Sequence, residues 1–199
     1  MQVQARRLLA VVAIAAAATL ALVPVTAGEG GITPGSRIDD FTLPDFQGRT
    51  HSLSQYKDSK GVVVIFVSTR CPVSNAYNER MVALAEEYQP RGFQFLGINA
   101  NKAEAPEEMS KHAGSNGWNF PVLKDEGNKI ADRLHASVTP EVFVIDPQGT
   151  LQYHGRIDDS QDPSGISSRD LRSALDAMLS GSEITKKEAK AFGCSIKRV

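Results

Sequence analysis

The feature that most constrains the fold is an apolar run over residues 62–67, which ends shortly before Cys71. Five of its six residues are β-branched and none is charged, a composition typical of a strand buried on both faces of a sheet. Pro72 follows the cysteine, and proline suits the first turn of a helix. The run therefore predicts a buried strand over residues 62–68 and then a helix, with Cys71 at the junction between them.

Cys71 is a candidate nucleophile because of this position. The amino end of a helix carries partial positive charge and Arg70 supplies a neighbouring cation, and both lower the pKa of a thiol. A lowered pKa makes the thiolate available, which is the reactive form of cysteine. The alternatives are a cysteine that only packs in the core and one that forms a structural disulfide.

Strand and helix patterns alternate along the rest of the chain, which predicts an α/β fold. A hairpin is expected over residues 41–53, and a helix from Pro72 to near Pro90. One domain is expected over residues 36–180, after a glycine-rich lead-in at 28–35. The remaining expected segments are strands or extended pieces at 93–98, 120–123, 141–145 and 150–154, and helices from Pro106, at 129–135 and at 171–179.

The first 27 residues have the layout of a secretory signal peptide. Arg6 and Arg7 precede a stretch, residues 8–23, that is apolar apart from Thr19, and small residues end at Ala27, where cleavage is expected. An uncleaved membrane anchor is the alternative, although the stretch is short for a bilayer span. The prediction is a periplasmic or extracellular protein with no stable membrane insertion after cleavage, in a compartment that permits disulfides.

Charge and residue spacing argue against several classes of partner. Loss of the signal segment removes two arginines and no acid, so the formal net charge changes from −1 to −3. That balance lacks the basic footprint of a nucleic-acid-binding protein. No pair of histidines has metal-ligand spacing with a cysteine. We therefore expect no nucleic acid partner, no metal and no cofactor.

Cys194 is the only possible intramolecular partner of Cys71, because the chain has two cysteines. It lies in a tail, residues 181–199, in which Thr185 and Glu188 have capping-box spacing and Gly193 suits a helix end. A short helix followed by a mobile cysteine is expected there. Three alternatives stay open: a redox-active pair in which Cys194 resolves the intermediate, a static bridge, and two unpaired thiols.

Five motifs resemble the peroxiredoxin-like branch of the thioredoxin superfamily, the alkyl hydroperoxide reductase and thiol-specific antioxidant proteins, over residues 32–179. They are Phe41-Thr42-Leu43-Pro44-Asp45, Cys71-Pro72-Val73-Ser74-Asn75, Gly97-Ile98-Asn99-Ala100-Asn101, Thr139-Pro140-Glu141-Val142-Phe143 and Tyr153-His154-Gly155-Arg156-Ile157-Asp158-Asp159. The resemblance implies a thioredoxin-like fold, a central mixed sheet flanked by helices on both faces. It also implies a cis peptide bond before Pro140, with Thr139 and Pro140 presenting backbone groups to an extended substrate.

The chain departs from two patterns of this superfamily. Ser74 stands where thioredoxin has its second cysteine, so an intermediate on Cys71 needs Cys194 or an external thiol to resolve it. True peroxiredoxins have a proline and a threonine that organise a bound peroxide; counted from Cys71 these positions hold Val64 and Ser68, and counted from Ser74 they hold Val67 and Cys71. The second departure weighs against efficient peroxide reduction.

The resulting prediction is an exported thiol-dependent oxidoreductase or antioxidant protein whose Cys71 thiolate attacks a disulfide or a peroxide. Arg70 is expected to stabilise the thiolate, Cys194 to resolve the intermediate, and Thr139 with Pro140 to align the substrate. The expected partners are a protein or small-molecule substrate and an external thiol donor. The alternative is a redox-inactive binding module that uses the groove beside Pro140.

Overall fold

The computed structural model describes residues 32–199, so the predicted signal segment, residues 1–27, lies outside the described part of the chain. The strands are β1 (Thr42–Pro44), β2 (Thr50–Ser52), β3 (Gly61–Phe66), β4 (Phe93–Asn99), β5 (Val122–Lys124), β6 (Val138–Thr139), β7 (Glu141–Ile145), β8 (Leu151–Gly155) and β9 (Cys194–Ser195). The helices are α1 (Pro72–Asn75), α2 (Asn78–Tyr88), α3 (Pro106–Ser115), α4 (Lys129–Arg133) and α5 (Asp170–Ser180). None of the helices within residues 32–199 has the length and apolarity that a membrane crossing requires.

A five-stranded mixed sheet forms the centre of the molecule, in the order β5-β4-β3-β7-β8. Strands β3, β4 and β5 run parallel to one another, whereas β7 is antiparallel to β3 and β8 is antiparallel to β7. Helices connect the parallel strands, as parallel pairing requires. This order and these directions confirm the expected thioredoxin-like α/β fold.

Strand β3 lies in the middle of the sheet and is buried along its whole length. Its side chains alternate between two apolar clusters, because neighbouring residues of a strand point to opposite faces. Ile65 belongs to the cluster that contains Met81 of α2 and Leu175 of α5. Val64 belongs to the cluster that contains Ile130 of α4. Helices therefore cover both faces of the sheet, as expected.

The predicted helix from Pro72 to near Pro90 is in fact two helices, α1 and α2. Tyr77 lies between them with φ −99° and ψ −3°, and its buried ring contacts Phe192 of the tail. The Tyr77 hydroxyl donates a hydrogen bond to the Ser160 carbonyl at 3.0 Å. The break therefore coincides with an aromatic side chain held by both the core and a distant loop.

The predicted short helix in the tail is wrong, since residues 181–193 form no helix. This segment lies along the edge of β8: the His154 N–H donates to the Lys187 carbonyl, and the Ala189 N–H donates to the His154 carbonyl, each at 3.0 Å. Gly155 permits the approach, because a Cβ there would overlap the Ala189 backbone. The backbone of this segment therefore forms hydrogen bonds with the free edge of β8 in place of the local hydrogen bonds of a helix.

We expect Val64→Ala to lower the free energy of unfolding by about 2.5 kcal/mol, because it removes two buried methyl groups and leaves a cavity beside the central strand. Val199→Ala is the matched control, since the same change occurs on a side chain that is 70% exposed. Urea unfolding followed by circular dichroism measures both losses. Equal losses would contradict the burial of Val64 in a packed core.

Candidate redox site

Cys71 lies where the sequence predicts it, between the end of β3 and the start of α1. It is the N-cap residue of α1, and its Sγ accepts a hydrogen bond from the Ser74 N–H at 3.3 Å. The side chain is buried, and its Sγ lies 3.4 Å from the Thr139 carbonyl oxygen. Because α1 has only four residues, the positive potential at the sulfur comes from this neighbouring N–H group and not from the dipole of a long helix.

A disulfide joins Cys71 to Cys194, with 5.9 Å between their Cα atoms and a sequence separation of 123. Of the three alternatives that the sequence leaves open, two unpaired thiols are therefore not the state described. The bridge connects the start of α1 to β9. Cys71 is 3% exposed and Cys194 is half-buried, so Cys194 is the more exposed residue of the bridge.

The Thr139–Pro140 peptide bond beside the bridge is cis. Strand β9 pairs antiparallel with β6, so that Thr139 is opposite Cys194 and Val138 is opposite Ser195. The backbone position that the resemblance assigns to an extended substrate is therefore occupied by the protein's own tail. The role of Thr139 and Pro140 toward an external substrate stays a prediction.

Gly193 allows the tail to come this close to β6. A Cβ at Gly193 would overlap the Thr139 carbonyl group, and its φ of +159° lies in a range that L side chains rarely adopt. The sequence predicts that this glycine ends a helix. In the structure it instead allows Cys194 to lie opposite Thr139.

Glu141 organises the backbone before Pro140. Its carboxylate accepts hydrogen bonds from the Ser137 N–H at 2.7 Å and the Val138 N–H at 3.1 Å, and it lies 2.7 Å from His154 Nε2. Burial raises the pKa of Glu141, but the His154 contact and the two backbone N–H groups outweigh burial and hold the pKa below its usual value. The carboxylate is therefore ionised at neutral pH and fixes this loop.

Arg70 pairs with Glu108 of α3. Two hydrogen bonds join them, from Arg70 Nε at 2.8 Å and from Nη2 at 2.5 Å. The Arg70 contact and the Thr69 hydroxyl lower the pKa of Glu108 to about 2, so both partners are charged at neutral pH. Much of the positive charge of Arg70 is thus balanced by Glu108, and its predicted role in stabilising the thiolate stays a prediction.

Glu104 is a functional residue that the sequence alone did not indicate. It is a buried carboxylate next to the loop that leads to Cys71. It accepts hydrogen bonds from the Ser68 hydroxyl at 2.6 Å, from the Thr69 N–H and hydroxyl at 2.7 and 2.8 Å, and from Asn99 Nδ2 at 2.6 Å. The Ser68 hydroxyl in turn accepts the Cys71 N–H at 3.1 Å. Glu104 therefore holds the loop that presents the sulfur. The available signal is an acid just after β4, whose carboxyl end meets the same sheet edge as that of β3.

A cleft of about 300 Å³ opens beside the bridge. Its lining includes both cysteines and the polar residues Arg70, Asn101, Glu104 and Lys197. Asn101 Nδ2 is buried and has no hydrogen-bond partner within residues 32–199. In the same range, no three His, Cys, Asp or Glu side chains converge as a metal site requires. The cleft therefore borders both cysteine residues of the bridge.

We expect Glu104→Gln to lower the free energy of unfolding by about 2 kcal/mol, because either orientation of the amide turns an NH₂ group toward hydrogen-bond donors. Urea unfolding of the oxidised protein measures the loss. Glu107→Gln is the control, since it makes the same change at an exposed position at the start of α3. Unchanged stability in the Glu104 variant would contradict the role of this carboxylate.

We expect Gly193→Ala to slow closure of the bridge in the reduced protein by at least about tenfold, because the new methyl group displaces Cys194 from Cys71. Acid-trapped samples taken during oxidation and alkylated for mass spectrometry give the rate. Gly114→Ala is the control, since a Cβ there meets open space. Wild-type closure in both variants would contradict the close approach of Gly193 to β6.

The model of the AhpC/TSA family matches residues 34–154. The chain is 29% identical over 121 residues to the thiol-disulfide oxidoreductase ResA of Geobacillus thermodenitrificans (strain NG80-2), which covers 61% of this chain and 68% of ResA. It is 28% identical over 145 residues to the chloroplastic peroxiredoxin Q of Oryza sativa subsp. japonica, which covers 67% of this chain and 65% of that protein.

A solved structure of a hypothetical protein from Sinorhizobium meliloti 1021 has a TM-score of 0.80 and 34% sequence identity, and the match covers 85% of this chain and 97% of that chain. One named relative is a thiol-disulfide oxidoreductase and the other a peroxiredoxin, and both cysteines of this chain meet in the bridge. The matched range contains β3, Cys71 and the cis bond before Pro140. This chain therefore belongs to the AhpC/TSA family and is a thiol-dependent oxidoreductase.

Proposed function

We propose that this chain is an exported thiol-disulfide oxidoreductase in which Cys71 and Cys194 alternate between a dithiol and a disulfide. The bridge carries the proposal, because it joins the cysteine at a helix start to a cysteine 123 positions away, beside the loop before Pro140. The similarity to ResA supports it. Export rests on the signal-peptide layout of residues 1–27.

In the reduced protein, the Cys71 thiolate attacks one sulfur of a substrate disulfide, a mixed disulfide forms, and one substrate thiolate leaves. Cys194 loses its proton and attacks Cys71 Sγ, the second substrate thiolate leaves, and the internal bridge forms. The substrate gains two electrons and two protons, and the protein loses them. An external thiol donor then reduces the bridge in two thiol–disulfide exchanges, which return two electrons and two protons to the protein.

Two features of the site suit this cycle. The Ser74 N–H donates to Cys71 Sγ, and a hydrogen bond of this kind favours a thiolate over a thiol. Pairing of β9 with β6 keeps Cys194 next to Cys71, so the resolving step is intramolecular and oriented. The sequence predicts a mobile cysteine here, whereas the pairing of β9 with β6 supports a positioned one.

Reduction of a peroxide has less support from the same residues. Val64 is buried inside β3, and the Ser68 hydroxyl donates its proton to Glu104. Neither residue therefore presents a group to a peroxide at Cys71. The similarity to peroxiredoxin Q is compatible with the family assignment, and the contacts favour a disulfide as the oxidant.

A redox-inactive binding module also has less support. Its binding groove beside Pro140 is filled by β9. A partner that paired with Thr139 would have to displace Cys194 and the strand that carries it. The bridge between the two cysteines also gives the protein a redox couple, which a pure binding module does not need.

We expect dithiothreitol to open the bridge under native conditions and hydroxyethyl disulfide to close it again. In Cys71→Ser, the exchange between dithiothreitol and hydroxyethyl disulfide should proceed at the rate measured without protein, because the nucleophile is absent. Cys194→Ser should accumulate a mixed disulfide on Cys71, because the resolving thiol is missing. Mass spectrometry of acid-trapped, alkylated protein distinguishes these states.

Two results would contradict the proposal. Catalysed exchange that survives in Cys71→Ser would show that another group is the nucleophile. A bridge that stays closed in dithiothreitol while the protein remains folded would show a static structural disulfide.

A further inference from the structure

Contacts other than the disulfide hold the tail after Cys194. The Ile196 side chain is buried in the apolar cluster that contains Val64. Four backbone groups of the tail and its neighbours are also bonded: Ile196 N–H to the Ser137 carbonyl at 3.0 Å, Lys197 N–H to Asn101 Oδ1 at 2.8 Å, Lys102 N–H to the Lys197 carbonyl at 2.9 Å, and Val199 N–H to Asn128 Oδ1 at 2.9 Å. None of these contacts involves the two sulfur atoms that reduction separates.

This anchoring restricts what can reach the sulfur atoms. While β9 is paired with β6, an extended polypeptide cannot form the same hydrogen bonds with Thr139. The cleft beside the bridge remains open, and its volume of about 300 Å³ is at the small end of the range for small-molecule sites. The geometry therefore favours a small reaction partner over a protein.

Two groups that line the cleft have unused capacity for an anion. Asn101 is 4% exposed, yet its Nδ2 donates no hydrogen bond within residues 32–199. The Lys197 ammonium forms no ion pair with a carboxylate in that part of the chain, whereas the charge of Arg70 is taken by Glu108. Glu104 also lines the cleft, but its carboxylate oxygens already accept four hydrogen bonds.

We propose that the cleft binds a low-molecular-weight thiol that carries a carboxylate, with the carboxylate attracted by the Lys197 ammonium and, at longer range, by the dipole of the unpartnered Asn101 amide group. This inference rests on the proposed function and names its reductant class. The thiolate of the small molecule attacks the sulfur of Cys194, the more exposed of the two cysteine residues, and Cys71 leaves as a thiolate. A second molecule of the thiol attacks the mixed disulfide, so one small-molecule disulfide leaves and the protein gains two electrons and two protons.

The test compares three thiols of similar size and different charge as reductants of the full oxidised protein: 3-mercaptopropionate, 2-mercaptoethanol and 2-aminoethanethiol. Each rate is divided by the rate of the same thiol with dimethyl disulfide, a neutral disulfide that shares no half with any of the three thiols, which removes differences in thiol pKa and nucleophilicity. We expect the normalised rate of the anionic thiol to exceed that of the neutral thiol by about fivefold, and the cationic thiol to be the slowest.

Three variants test which residues cause the preference for the anionic thiol. Lys197→Gln should abolish it, whereas Lys190→Gln should retain it, because Lys190 is an exposed lysine of the same tail that does not line the cleft. Asn101→Asp keeps an acceptor for the Lys197 N–H and replaces the unpartnered donor with an anion. It should reverse the order of the anionic and cationic thiols.

Different results would overturn the anion site, the small reductant and the proposed function. Equal normalised rates for the three thiols, or an unchanged preference in Lys197→Gln, would overturn the anion site. Reduction by reduced thioredoxin that exceeds the normalised rate of 3-mercaptopropionate would show that the tail yields to a protein partner, and would overturn the small reductant. A bridge that dithiothreitol also fails to open would overturn the proposed function itself.

Discussion

Burial of β3 on both faces is the constraint on which the rest of the structure depends. A strand between two others, packed above and below, fixes the loop at its carboxyl end and therefore Cys71. The neighbouring strands β4 and β7 place the other residues of the site at the same edge of the sheet as Cys71. β4 leads to Glu104, and β7 begins directly after the cis bond before Pro140. Sequence segments that are far apart thus meet through strand pairing around one buried strand.

The sequence predicts the parts of this arrangement that leave a local pattern. The run at 62–67 identifies β3 because burial on two faces demands continuous apolar residues, and Pro72 marks the start of the next helix. The tail could not be predicted in this way. Residues 181–193 have helix-compatible signals, but their backbone groups bond to the edge of β8, a partner that exists only after the sheet has formed. Helix signals are weak when such a competing partner is present.

Glu104 was missed for a related reason. A glutamate in a polar loop is usually solvated, and its burial here depends on donors from Ser68, Thr69 and Asn99 that only the fold brings together. Glu141 plays the corresponding part for the loop on the other side of the sulfur. Both loops beside Cys71 are therefore shaped by an internal carboxylate that replaces water as the acceptor for backbone N–H groups.

The anchored tail has a consequence for the lifetime of reaction intermediates. A cysteine kept beside its target by strand pairing has an effective concentration far above that of a free thiol in solution. A mixed disulfide between Cys71 and a partner has two possible fates. Either Cys194 attacks Cys71, which closes the internal bridge and releases the partner, or a second molecule attacks the mixed disulfide. Closure of the internal bridge is favoured at every turnover. The protein should therefore pass electrons in pairs and release its partners quickly, rather than retain them as covalent adducts.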